Sequence, residues 1–98
     1  KKYRFDLHGY TLLQANKKVR EIIFFCKKNG YKEILLITGK GIHSNTEKDV
    51  YASSTLSKLR YSIPNYINSQ ADLSDNIGKI SLASSKEGGN GALVIKLK

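Results

Sequence analysis

Cysteine is nearly absent from these 98 residues, since Cys26 stands alone. That excludes an internal disulfide and sets the chain apart from small secreted domains, which are usually stapled by several bridges. A reducing, cytoplasmic setting is the expectation. One cysteine and two histidines, His8 and His43, also fall short of the four ligands of a structural zinc site. Any metal would have to be held by Asp or Glu and by phosphate oxygens. No stretch approaches the roughly 18 apolar residues of a membrane span, and Lys1-Lys2-Tyr3-Arg4 leads into a strand pattern rather than a signal-peptide core. Neither a Walker loop nor a dinucleotide fingerprint occurs, which disfavours nucleotide hydrolysis. There is no internal repeat, linker or low-complexity block. A chain of 98 residues holds one core, so a single domain over residues 1–98 is expected. Because it opens directly on a strand, it reads as a domain cut from a longer protein.

Acidic residues are scarce as well. Eight Asp and Glu face seventeen Lys and Arg, a formal net charge of +9, and such an excess concentrates and captures polyanions. Nucleic acid is the expected partner. The basic residues are scattered rather than gathered on one amphipathic helix, which argues against a membrane surface. With 40% hydrophobic residues the chain has the composition of a globular domain.

Tyr3-Arg4-Phe5-Asp6-Leu7-His8 alternates apolar and polar, the period of a strand with one face on the core. Thr11-x-x-Gln14 has the form of a capping box and should open a helix. That helix carries Leu12, Ala15, Val19, Ile22, Ile23 and Cys26 on its inner face, and Asn29-Gly30 supplies its stop. Phe24 and Phe25 widen the apolar stripe, so one of them covers a neighbouring element or forms a partner surface. Glu33 to Thr38 reads as a central strand, completing a β-α-β crossover. A polar loop from Ile42 to about Ala52 follows. Ser53 or Ser54 is expected to cap a second helix with Leu56, Leu59 and Ile63 inward, broken or kinked by Pro64 before Tyr66 and Ile67. Ser69 to Asn76 reads as a polar connection, and strands are expected over Ile77–Ala83 and Ala92–Leu97. The order is β-α-β-α-β-β, an α/β fold.

Three segments carry candidate chemistry. On the strand period, Asp6 and His8 share a face beside Gly9; a histidine moves protons near neutral pH, and a carboxylate orients it or shares a metal or water. Equally, Asp6 caps the neighbouring turn and His8 is a strand-end histidine. Thr38-Gly39-Lys40-Gly41 lets the backbone approach an anion while Lys40 supplies charge, or is a plain glycine turn. Gly88-Gly89-Asn90-Gly91-Ala92 makes a tight turn whose amides can receive a phosphate backbone. Among the tyrosines, Tyr10 is singled out for its place beside His8.

Taken together, Phe5-Asp6-Leu7-His8-Gly9, Ile37-Thr38-Gly39-Lys40-Gly41 and the terminal Gly88 to Lys98 resemble the Smr (small MutS-related) domain along the whole chain. The family's hallmarks are a Leu-Asp-x-His strand and a Thr/His-Gly-x-Gly loop, with Phe5 here at the usual Leu and a longer stretch from Ile42 to Ser54. The resemblance implies a two-layer α+β sandwich of a four-stranded mixed sheet and two helices, similar to the C-terminal domain of bacterial translation initiation factor three. It implies endonuclease or nicking activity on RNA or DNA. Asp6 and His8 take the catalytic positions, and Thr38, Gly39, Lys40 and Gly41, with Gly89 and Gly91, receive the phosphate backbone. If a divalent cation such as Mg or Mn takes part, Asp6 is its ligand. The expected molecule is a monomer with a nucleic-acid partner and no membrane. Its alternative is a non-catalytic module that targets a larger repair or translation protein. A protein-interaction domain built on Phe24 and Phe25 is the third reading.

Overall fold

A computed structural model describes residues 1–38, 59–83 and 91–98. The first strand, β1, spans Lys2–Asp6, with Tyr3 and Phe5 half-buried and Lys2, Arg4 and Asp6 exposed. Helix α1 spans Leu12–Lys28 and opens on the expected capping box. The Gln14 amide donates to Thr11 Oγ1 at 3.2 Å, and the Thr11 amide donates to Gln14 Oε1 at 3.0 Å. Ala15, Val19, Ile22, Ile23 and Cys26 form its buried stripe. Leu12, expected inward, is exposed because the core begins one turn later, at Ala15. Asn29 caps the end, its side-chain amide donating to the Phe25 carbonyl at 2.7 Å. Gly30 then takes φ +78°, a left-handed turn that favours glycine.

Strand β2, Glu33–Ile37, pairs in parallel with β1, setting Tyr3 beside Ile34 and Phe5 beside Leu36. Strands β3, Ile77–Leu82, and β4, Ala92–Leu97, are antiparallel, and β4 lies between β2 and β3. The mixed sheet therefore runs β1-β2-β4-β3. On one face Ile34, Leu36, Leu93, Ile95 and Leu97 meet the helices in the main core. On the other, Leu35, Ala83, Ala92 and Val94 form a smaller buried cluster with Ile37 against it. Strand β2 is thus covered on both sides, as its apolar run requires.

Two corrections concern the helical layer. Residues 59–69 form one continuous described helix, α2, through Pro64. The ring removes one amide donor, but Leu59, Ile63 and Ile67 are fully buried on the inner face, and that packing holds the helix through the missing bond. The start expected at Ser53 or Ser54, with Leu56, lies outside the described residues. The segment read as a polar connection contains a short third helix, α3, at Ala71–Ser74, because Leu73 is completely buried and pulls the chain onto the core. The fold is therefore a two-layer α+β sandwich with three helices among the described residues.

Arg20 ties these helices together. Its guanidinium bonds the Asp72 carboxylate and holds its proton more firmly than usual, chiefly through a hydrogen bond with Tyr66 and also through Asp72. No helix among the described residues is long and apolar enough to cross a membrane.

Candidate nucleic-acid interface

Because β1 and β2 run in parallel, both deliver their C-terminal ends to one end of the sheet, where antiparallel β4 begins. Three backbone links define this corner. The Leu7 amide donates to the Ile37 carbonyl at 2.9 Å, Ile37 pairs with Ala92, and the Thr38 amide donates to the Gly91 carbonyl at 2.7 Å. Asp6, Thr38 and Gly91, from three separate stretches of sequence, thus become neighbours along one rim.

Strand β1 ends at Asp6, two residues earlier than the alternation implies. The reason is the carboxylate itself: Asp6 Oδ1 accepts the His8 backbone N–H at 2.8 Å, which turns the chain out of the ladder. Leu7, fully buried, anchors that turn, and the Tyr10 amide closes it on the Leu7 carbonyl at 3.0 Å. Gly9 adopts φ +84°. His8 is therefore presented by a tight turn rather than by the strand period, and both His8 and Asp6 are solvent-exposed. One carboxylate oxygen holds the turn; the other keeps its lone pairs for an imidazole, a water or a cation.

Thr38 is completely buried. Its Oγ1 has no hydrogen-bond partner among the described residues, a costly state for a buried hydroxyl. Gly91 is buried beside it. Gly39, Lys40, Gly41 and Gly89 lie outside the described residues. Among the described residues no three His, Cys, Asp or Glu side chains converge to hold a metal.

Tyr10 is half-buried and packs edge-on against Phe5, with ring centroids 5.8 Å apart, at the edge of the core. Phe25 likewise covers its neighbours, Tyr3 at 5.5 Å and Tyr31 at 6.1 Å, while Phe24 lies under the Arg20 guanidinium at 5.5 Å. The aromatic ring that sequence reasoning passed over is Tyr61, 64% exposed on α2. The signal was available: Leu59, Ile63 and Ile67 mark the inner stripe of that helix, and Tyr61 falls off it.

Comparison with known proteins gives a consistent result. The sequence profile of the Smr domain matches residues 5–98. Among solved structures, the fold resembles the Smr domain of Thermus thermophilus MutS2, with a TM-score of 0.74 at 22% identity, covering 98% of each chain. It also resembles YdaL, a stand-alone small MutS-related protein from Escherichia coli, with a TM-score of 0.73 at 19% identity, covering 100% of this chain and 68% of that one. No curated protein sequence matches.

Proposed function

The chain belongs to the Smr domain family, and from that premise we propose that it binds nucleic acid and cuts the phosphodiester backbone at the corner formed by Asp6, His8, Thr38 and Gly91. The observation that supports the reading is the pair of backbone bonds, Leu7 to Ile37 and Thr38 to Gly91, which bring the turn after Asp6, Thr38 and Gly91 to one end of the sheet. A net charge of +9 supplies the attraction for a polyanion.

In this reading His8, exposed and fixed at its backbone by Asp6, passes a proton to or from the attacking or leaving oxygen. The second Asp6 oxygen orients the imidazole or a water. The Thr38 hydroxyl, Lys40 two residues further along the chain, and the amides of the glycine loops at Gly39, Gly41, Gly89 and Gly91 stabilise charge on the crowded phosphate. RNA is the favoured substrate, because its 2′-hydroxyl supplies the nucleophile within the strand itself. The proposed setting is the cytoplasm.

One observation favours a second reading, a targeting module without turnover: Asp6 is already used as the acceptor that builds its own turn. Matched RNA and DNA strands, with and without chelator, separate the two. Cleavage to a cyclic phosphate end, lost in His8→Ala with affinity kept, supports the nuclease. Binding without cleavage, weakened by Lys40→Ala and indifferent to His8→Ala, supports the module. If wild type neither binds nor cuts either strand, both readings fail.

A further inference from the structure

Away from the corner, a groove of about 480 Å³ runs between α2 and the edge strand β3, lined by Arg60, Tyr61, Pro64 and Asn68 on one wall and by Lys79 and Leu82 among residues of the other. No acidic side chain is among its described lining residues. The Arg60 guanidinium lies over the Tyr61 ring at 5.3 Å. Tyr61 is 64% exposed and Leu82 56% exposed. An exposed aromatic ring backed on one face by a guanidinium, with apolar walls and a lysine opposite, is the chemistry that holds an unpaired base and its flanking phosphate.

The groove also points the right way. Helix α2 ends at residue 69, and α3 returns the chain at once to Ile77, the start of β3. The C-terminal end of α2 therefore meets the beginning of β3, and Arg60 and Tyr61 lie toward Leu82. Leu82 pairs with Leu93, and the Ala83 amide donates to the Ala92 carbonyl at 3.1 Å, in the row that continues through Ile37 to Asp6. The Leu82 end of the groove thus sits at the same end of the sheet as the corner, three strand spacings across, or roughly 14 Å.

We propose that this groove is a subsite for unpaired nucleotides of the strand that is cut, with Tyr61 as the ring on which a base stacks and Lys79 as the cation that meets its phosphates. The proposal rests on the reading that the corner handles a nucleic-acid backbone, and it adds that the flanking substrate is single-stranded. An added protein strand is the other occupant an edge strand invites. Against it, the register of β3 on β4 shifts between Ile77 and Lys79, an irregularity that interrupts the even edge a pairing chain would need.

The test measures binding of labelled single-stranded RNA and of a blunt RNA duplex to wild type, Tyr61→Ala, Tyr61→Phe and Lys79→Ala, with 4-thiouridine crosslinks mapped by mass spectrometry. Tyr61→Ala is expected to weaken single-strand binding about tenfold, while Tyr61→Phe keeps it. Duplex affinity stays unchanged, and crosslinks fall on α2 and β3. Equal single-strand affinity in wild type and Tyr61→Ala, with crosslinks elsewhere, overturns the subsite while cleavage at the corner stands, and leaves the groove to a protein segment. A wild type that binds neither RNA form overturns the subsite, and if it also fails to bind matched DNA strands the corner reading falls with it.

Discussion

Cys26 is fully buried on the inner face of α1, and burial pushes its thiol from 9.0 up to about 11. The thiolate is the nucleophile, so the group is chemically quiet; native protein is expected to resist thiol reagents that label it at once on unfolding. The folded state keeps this proton longer than the unfolded chain does. The stability it lends is therefore full below pH 9 and falls as the pH climbs toward 11. Thermal melts across that window should show the margin of wild type over Cys26→Ala shrinking as pH rises. Gly9 gives a second test. A Cβ there meets nothing within 4 Å, yet φ is +84°, so Gly9→Ala carries a torsional cost alone, about 1–2 kcal/mol by denaturant unfolding. At this scale the sequence was a partial guide. Asp6 and His8 were recognisable as a pair, but the end of the strand was not, because the apolar and polar alternation continues past the point where the Asp6 carboxylate captures the His8 amide.

Local chemistry fixes some elements completely. The Thr11 and Gln14 box that opens α1 was readable because both partners lie within four residues; Thr11→Ala is expected to cost about 1 kcal/mol, read from chemical denaturation. Helix α2 is the opposite case, since tertiary packing overrides its proline. Pro64→Ala restores an amide donor in mid-helix, and an upward shift of Tm worth about 1–3 kcal/mol is expected. Helix α3 was illegible for a related reason. Leu73 is the one large apolar residue in a polar segment, and its burial depends on core packing that the rest of the fold provides.

The strand order belongs to the molecule as a whole. Four strands and their burial were visible as patterns, but nothing local states that β4 inserts between β2 and β3; only long-range pairing decides it. Charge acts at this scale too. With a net charge of +9, nucleic-acid affinity should fall linearly on a double-logarithmic plot against salt, and Lys79→Ala should reduce that slope by about one unit for single strands.

The central place of β4 also sets the order of events during synthesis. Ala92–Leu97 bonds both β2 and β3, so a nascent chain that has emerged only as far as β3 still exposes the seam between them. Folding must wait until this strand has emerged. Chains truncated just before Ala92 should stay open to protease, and restoring the six residues of β4 should close the domain in a single step.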